Sequence, residues 1–270
     1  SNGIAVGLTS SIPAHNPKEA IDAVIARIRD PKITLDEIMK IIPCPDFPTG
    51  GYIIKSDEIR NAYATGRGKL LNRAKTHIET LKNGKKLIVV TECPYQVNKA
   101  RALEGILKLV QDKKAAFQNV TDIRDESDRH GIRAVIELKK DADEQKILKQ
   151  LFKYSDLQKT FGVIMVAIAD GKPRQLSLLE MIDYYIRYQE DVVTRRTKFE
   201  LESAERRAHI LDGLLIALLN IDEVIALIRA SKSPKIAKQG LMDRFELTAV
   251  QADAILDLRL QRLTNLEQLA

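Results

Sequence analysis

The stretch from residue 178 to residue 229 limits the fold of this chain most, because it contains no proline and only one glycine, Gly213. Proline and glycine are the residues least compatible with a helix interior, so their scarcity predicts one long helix. At about 1.5 Å per residue, it would be on the order of 80 Å long. Its apolar residues recur every three or four positions, as in a coiled-coil seam: Ala204, Ala208, Leu211, Leu215, Leu218, Ile221, Ile225 and Ile228.

An apolar seam of this kind needs a partner helix, because an isolated helix is only marginally stable in water. Ser231 to Pro234 ends the predicted helix, and two shorter helices follow near Pro234–Met242 and Thr248–Leu258. Thr264 caps a last segment that reaches Ala270. We therefore expect a returning helix that lies after residue 270 or comes from another chain.

The middle of the chain, residues 49–175, predicts hairpins that alternate with helices. The turn signal Asn83-Gly84 joins the loosely alternating segment 69–81 to an apolar strand at 87–90. The other predicted elements are strands at 51–56, 120–124, 132–138 and 163–169 and helices at 98–113 and 143–154. This order predicts an α+β domain with a mostly antiparallel sheet and flanking helices.

Residues 1–48 predict loop, helix and loop. Asn16 can cap a helix that Pro17 begins, with Ala20, Val24 and Ile28 on one face. A second, short helix is predicted from Thr34 to Met39, before three prolines interrupt the chain.

Composition excludes some classes of protein and suggests a partner. The chain has 43 Lys and Arg against 37 Asp and Glu, a net charge of +6, which suits an anionic partner such as nucleic acid. No apolar run approaches the roughly 20 residues that a membrane span needs, and no signal peptide is apparent. Cys44 and Cys93 have no metal-site spacing, which favours a reducing, cytoplasmic setting without zinc.

Two short motifs invite a chemical interpretation. Thr65-Gly-Arg-Gly-Lys69 lacks the spacing and the hydroxyl residue of a nucleotide-binding P-loop. It predicts a turn into a strand, with contacts from Arg67 or Lys69 to DNA phosphates as an open alternative. Asp125 to Asp128 holds three carboxylates and predicts a solvated hairpin loop, with magnesium binding as the less favoured alternative.

Several collinear motifs resemble one family, the A subunits of bacterial type IIA DNA topoisomerases. The segment Ile4-Ala-Val-Gly7 leans toward the gyrase branch over topoisomerase IV, although Ala14, Cys44 and Cys93 depart from the usual pattern. The motifs cover nearly the whole chain: Gly3–Gly7, Ile12–Asn16, Pro45–Gly50, Tyr63–Lys69, Pro94–Lys99, Arg124–Asp128, Arg195–Phe199, Arg207–Leu211 and Gln251–Gln261.

The resemblance implies a division into four parts. Residues 1–48 would end the DNA-gate region, residues 49–175 would form the α+β "tower" domain, and residues 176–231 would form a long coiled-coil helix. Residues 232–270 would form a small helical exit-gate region and the start of the return helix. The chain would then be a piece that lacks both the catalytic-tyrosine domain and the C-terminal domain.

The family's reaction is ATP-driven passage of one duplex through a transient break in another, made by a tyrosine that attacks a DNA phosphate. The resemblance places that tyrosine before Ser1, and none of the seven tyrosines here matches its motif, so no catalytic residue and no metal ligand is assigned. Magnesium and ATP are expected on the partner B subunit. Expected partners are double-stranded DNA, that B subunit in an A2B2 heterotetramer, and a second copy of the A subunit in the exit gate.

Five residues are candidates for contacts with DNA: Ile4, Arg67, Lys69, Lys99 and Arg101. The resemblance implies that Ile4 wedges between base pairs and bends the duplex, whereas the simpler alternative is that Ile4 only packs. The competing function for the whole chain is a non-enzymatic coiled-coil scaffold with a basic, nucleic-acid-binding head.

Overall fold

The computed structural model describes residues 2–5, 8–112 and 114–258, apart from the side chains of Asn2, Ile4, Ala5, Lys114 and Ala116. The chain forms two compact units, residues 1–187 and 188–270, and their boundary falls inside one helix. Helices and antiparallel sheets are both present, so the predicted α+β class is confirmed. The part of the chain that is described includes no helix long and apolar enough to cross a membrane.

The first unit contains all the described strands and the first seven helices. The strands are β1 (Asn2–Ala5), β2 (Leu8–Ser11), β3 (Tyr52–Ile53), β4 (Arg67–Arg73), β5 (Lys75–Thr80), β6 (Lys86–Glu92), β7 (Val120–Asp125), β8 (Ala134–Leu138), β9 (Gln158–Ile164), β10 (Val166–Ala169) and β11 (Lys172–Gln175). The helices are α1 (Pro17–Arg29), α2 (Leu35–Ile41), α3 (Asp57–Thr65), α4 (Lys99–Asp112), α5 (Lys114–Phe117), α6 (Glu144–Tyr154) and α7 (Leu178–Leu219), of which α7 continues into the second unit.

Helices α1 and α2 begin where the sequence predicts, because their caps are built from local side chains. The Asn16 side chain accepts hydrogen bonds from the backbone N–H groups of Lys18 and Glu19. Thr34 and Glu37 form a reciprocal capping box at α2. The predicted apolar face of α1 is partly wrong, because its fully buried residue is Ala23 and Ile28 is exposed.

The five-stranded sheet has the order β1-β2-β9-β4-β3. Its β1–β2 hairpin lies where the sequence predicts a loop, and the predicted strand at 51–56 shrinks to two residues before the unpredicted helix α3. One face of the sheet packs against α1, α2, α3 and the start of α7. The core there includes Ile38, Tyr63, Leu70, Phe161 and Met165.

The four-stranded sheet has the order β5-β6-β8-β7, and α4, α5 and α6 cover one face around Ile88, Ile106, Phe117 and Leu151. Both predicted hairpins and the helices α4 and α6 are confirmed. The predicted helix end at residue 113 lies outside the described residues. The predicted segment 69–81 is wrong as one strand, because it divides at Ala74 into β4 and β5, which belong to different sheets.

A second predicted strand also divides. The segment 163–169 separates at Met165 into the end of β9 and β10, and the Met165 N–H donates to the carbonyl oxygen of Gly66 at 2.8 Å. Strand β10 forms a hairpin with β11 through Asp170 and Gly171, which both have positive φ angles.

The second unit contains the rest of α7 and three shorter helices, α8 (Ile221–Ala230), α9 (Pro234–Phe245) and α10 (Ala249–Leu256). The prediction of an unbroken helix to residue 229 is wrong, because α7 ends at Leu219 and Asn220 leaves helical geometry (φ −123°, ψ 33°). The side-chain amide of Asn220 donates a hydrogen bond to the carbonyl oxygen of Ile216 at 2.9 Å. The two predicted short helices are confirmed, whereas the predicted cap at Thr264 lies outside the described residues.

The predicted seam on α7 is largely uncovered in this unit. Ala204, Ala208, Leu211 and Leu215 are exposed, while the residues that pack against α9 and α10 include Ala217 and Val224. On α7 this core uses Leu214 and Ala217 rather than the seam residues Leu211 and Leu215, while the seam residue Ile228 of α8 packs against it.

Candidate nucleic-acid interface

Strand β4 presents basic side chains on one face and its core residues on the other. Leu70 is 1% exposed and Asn72 is 2% exposed, and both face the core of the five-stranded sheet. Because side chains alternate along a strand, Arg67, Lys69 and Arg73 share the opposite, outward face. Arg67 and Lys69 are exposed there.

The two glycines of the Thr65–Lys69 motif explain why its cations face outward. Gly66 has φ +74° and ends α3 in the left-handed conformation, where a Cβ would clash with the carbonyl oxygen of Leu176. A Cβ on Gly68 would lie 2.7 Å from the Cβ of Ala62, so this glycine lets α3 pack closely on β4. The prediction of a turn into a strand is confirmed, and the glycines have packing roles.

Strand β9 extends the same outward surface beside β4. The register places Gly162 opposite Lys69, Thr160 opposite Leu71 and Ile164 opposite Arg67. Gly162 is exposed, and a Cβ added there would meet nothing within 4 Å. We call the outward side chains of β4 and β9 the basic face: Arg67, Lys69, Leu71, Arg73, Gln158, Thr160, Gly162 and Ile164. Bare backbone beside Lys69 leaves room for a flat or convex partner.

The predicted DNA-binding cations differ in whether they form an ion pair with a carboxylate. Lys99 is half-buried, with its ammonium 2.6 Å from the Asp125 carboxylate and 2.8 Å from the Ser127 hydroxyl. No described residue forms an ion pair with Arg67, Lys69 or Arg101. A phosphate would therefore compete with a carboxylate at Lys99, but meets no such competitor at Arg67 or Lys69.

The carboxylates of residues 125–128 are engaged by nearby cations and backbone donors. Hydrogen bonds from Lys99 and Ser127 lower the pKa of Asp125 to about 2. Glu126 accepts from Arg124 at 2.6 Å, and Asp128 accepts from the His130 N–H at 2.8 Å. The stretch is the β7–β8 connection, as the loop interpretation predicts, and each of its three carboxylates already accepts a hydrogen bond. Within the described ranges, no three His, Cys, Asp or Glu side chains are grouped for metal binding.

Ile4 lies in β1 opposite Thr9, and its side chain is outside the described part of the structure. The β1–β2 hairpin joins the sheet through Ser11, which pairs with Ile164. Ile164 in turn pairs with Arg67. The hairpin that carries Ile4 is therefore hydrogen-bonded into the sheet that carries the basic face.

Two tyrosines have environments that oppose nucleophilic chemistry. Tyr63 is 1% exposed, and burial raises its pKa far above the ordinary value. Tyr184 donates to Asp170 at 2.7 Å, a hydrogen bond that raises its pKa. An activated nucleophile is favoured by a lowered pKa and an accessible position; neither tyrosine has a lowered pKa, and Tyr63 is also inaccessible.

Comparison with known proteins assigns this chain to a family. The model of the family described as the A subunits of DNA gyrase and topoisomerase IV matches residues 1–270. The chain belongs to this family. The resemblance of its motifs to the A subunits of type IIA topoisomerases is thus confirmed.

Curated members of the gyrase A family support the same assignment. The chain is 54% identical over 268 residues to the DNA gyrase A subunit of Clostridium acetobutylicum, 52% identical to that of Halalkalibacterium halodurans and 48% identical to that of Helicobacter pylori. Each match covers 99% of this chain and 32% of the relative. The chain therefore spans about a third of the length of these gyrase A subunits.

Of the basic face in this gyrase A family member, the sequence predicts only Arg67 and Lys69; the rest, including Arg73 and Gly162, is not predicted. The sequence predicts the last strand of the middle region from Val163 onward, which leaves residues 158–162 without a position beside β4. A signal was present, because Phe161 and Val163 alternate with exposed residues at the two-residue period of a strand. That period alone does not identify which strand is the neighbour.

Proposed function

We propose that the chain is the tower and exit-gate part of the DNA breakage-reunion subunit of an ATP-dependent type II topoisomerase, gyrase. In this role it binds and bends the gate duplex. Family membership and the named relatives support the proposal. The structural observation that carries it is the basic face, where Arg67 and Lys69 have no carboxylate partner among the described residues and flank the open Gly162.

The remaining partners follow from the family. DNA cleavage would use a tyrosine outside residues 1–270, and magnesium and ATP would bind on a B subunit in an A2B2 assembly. A second A subunit would meet this one in the exit gate, and the return helix of the coiled coil would cover the exposed seam residues Leu211 and Leu215. We assign this chain DNA positioning, with no catalytic residue.

The two proposed types of DNA contact have different physical roles. Arg67 and Lys69 would neutralise phosphates and release counterions, which provides affinity without reading sequence. Ile4 would insert between base pairs, and its unstacking cost would be offset by contacts that only a bent duplex can make. The basic face would collect those contacts.

Salt-dependent binding tests the proposal. Duplex affinity of the full-length protein, in complex with its B partner, is measured by fluorescence anisotropy over a salt series. The double variant Arg67→Ala/Lys69→Ala removes two phosphate contacts, so the slope of log affinity against log salt should become shallower by about 1.8. The matched control is Lys82→Ala/Lys108→Ala, which removes two exposed lysines that form no ion pair with any described residue.

The controls should retain the slope of the unmodified protein. Duplex binding that is absent or independent of salt in the unmodified assembly would favour the alternative, a non-enzymatic coiled-coil scaffold. Equal slopes for the Arg67/Lys69 variant and the unmodified protein would remove the basic face from the DNA path.

A further inference from the structure

An open hollow of about 590 Å³ lies at the β5 end of the basic face, where β4 and β9 meet α6. We call it the basic hollow and define it by the residues that carry its chemistry: Arg73, Gln145, Lys149, Phe152, Lys153 and Gln158. It contains three cations and two amide side chains, and the described residues that line it include no carboxylate. That composition is suited to an anion with several oxygen acceptors.

Arg73 is held in place by contacts that leave its charge unneutralised. Its Nε donates to Oε1 of Gln158 at 2.7 Å, and its guanidinium carbon lies 4.6 Å from the centre of the Phe152 ring. Stacking on an aromatic face orients the planar guanidinium, and its Nη groups form no hydrogen bond with any described residue. Such a preorganised fork matches the paired oxygens of a phosphate.

The two lysines of the hollow are likewise without carboxylate partners. Lys149 and Lys153 are exposed one helical turn apart on α6, and Lys153 lies 5.2 Å from the centre of the Tyr154 ring. No described residue forms an ion pair with either lysine. The four-stranded sheet is different, because Lys75, Lys85, Lys86, Arg124 and Arg133 are all paired with carboxylates there.

Spacing connects the hollow to the basic face. Arg67 and Arg73 lie on the same side of β4, six residues apart, which is about 20 Å at the rise of a strand. The same distance spans about six base pairs of duplex at 3.4 Å each. We propose that the basic hollow binds the sugar-phosphate backbone of the gate duplex, about six base pairs beyond the contact at Arg67. This inference rests on the proposed function and adds a second anchoring point to it.

The test neutralises the hollow in the full-length protein in complex with its B partner. The variant Lys149→Gln/Lys153→Gln is compared with the control Lys82→Gln/Lys108→Gln by anisotropy over a salt series. On a long duplex, the salt slope of the hollow variant should be shallower by about 1.8, and the control should match the unmodified protein. Circular dichroism and the melting temperature verify that both variants are folded.

Varying the duplex length distinguishes a contact between the hollow and one position on the duplex from non-specific electrostatic attraction. A duplex shortened by about six base pairs at each end no longer reaches the hollow, so variant and unmodified proteins should then show equal slopes. Equal slopes on the long duplex would overturn the inference, while salt-dependent binding through Arg67 and Lys69 would leave the proposed function standing. If the hollow variant lowers the salt slope equally on both duplexes, the proposed position of the contact, about six base pairs beyond Arg67, is wrong.

A free phosphate compound is the other source of this chemistry. Inorganic pyrophosphate is titrated into the unmodified and variant assemblies by calorimetry. If the variant loses pyrophosphate binding but keeps the duplex salt slope, the hollow serves a free ligand and the duplex proposal is wrong. Arg73→Gln provides an independent variant and should also make the long-duplex slope shallower, by about 0.9.

Discussion

Arg133 lies between two carboxylates, with Nη atoms 2.7 Å from both Glu79 oxygens and Nε 2.9 Å from Glu126. Arg124 similarly joins Glu126 and Glu137. These side chains lie on the face of the four-stranded sheet opposite α4 and α6, around the small buried cluster of Leu87, Val89 and Val135. At the scale of single residues, cations with a carboxylate neighbour stabilise the fold, whereas cations without one remain available to bind an anion.

These pairs predict a loss of stability in acid. Hydrogen bonds from Arg133 and His77 lower the pKa of Glu79 from 4.5 to about 2. A carboxylate with a lowered pKa in the folded state stabilises the fold fully above its unfolded pKa, and that stabilisation is lost as the pH falls. Stability should therefore decline between pH 4.5 and about pH 2 as Glu79 is protonated.

The measurement is urea unfolding at a series of pH values. Glu79→Gln should lower the free energy of unfolding at pH 7 and flatten its decline in that acid range. The control is Glu104→Gln, an exposed glutamate with no ion pair to any described residue, which should leave the pH profile unchanged. Parallel profiles for Glu79→Gln and the unmodified chain would show that this pair does not couple folding to pH.

At the scale of elements, two glycines in helices give opposite expectations. A Cβ on Gly213 in α7 would lie 2.6 Å from the Cβ and Cγ of Gln251, because α10 packs tightly there. A Cβ on Gly105 in α4 would meet nothing within 4 Å. Gly105→Ala should therefore stabilise the chain by about 0.5–1 kcal/mol, since alanine is the better helix former.

Gly213→Ala should instead destabilise the second unit by about 1–3 kcal/mol through overpacking. Helix formation alone would give both substitutions the same sign, so opposite shifts in thermal or urea unfolding isolate the packing contribution. Stabilisation by Gly213→Ala would mean that α10 moves away without cost. His209 and Thr248, joined at 2.7 Å next to Gln251, should then lose their contact.

Elements marked by local chemistry could be predicted from the sequence, and elements defined by distant partners could not. Caps at Asn16, Thr34 and Asp143, and the turn at Gly84, identify helices and hairpins because their side chains act within a few residues. The division between β4 and β5 at Ala74 has no cap or turn residue that would identify it in the sequence. Its N–H bonds to the distant Leu157 carbonyl, and the alternation of side chains continues through it.

At the scale of the whole molecule, the proposed wedge predicts a bend in the DNA. Replacing Ile4 with alanine in the full-length assembly should lower energy transfer between dyes on the two ends of a gate duplex, because a smaller side chain unstacks the bases less. Ile28→Ala is the control, since Ile28 is an exposed isoleucine on α1. Energy transfer that is unchanged by Ile4→Ala would rule out the wedge.

Only part of the candidate interface could be predicted from the sequence, because some of its residues come together only in the folded molecule. Arg67 and Lys69 belong to one local motif whose alternation with glycine is readable from the sequence. Arg73, Lys149 and Lys153 come together only because β4, β9 and α6 meet, and that meeting depends on the order of strands. Lys99 resembled the other cations in sequence, yet its ion pair with Asp125 depends on the fold.

The passage of β4 into β5 through Ala74 has a mechanical consequence. A bent duplex acts as a spring, and bending 20–30 base pairs stores about 1–6 kcal/mol. The component of this recoil that is directed along β4 would act on a strand that is hydrogen-bonded to β9 over its whole length. Force in that direction loads all the hydrogen bonds together, whereas peeling would break them one at a time. Through Ala74 the same covalent strand carries the load into the second sheet, so both sheets would resist the recoil of the DNA.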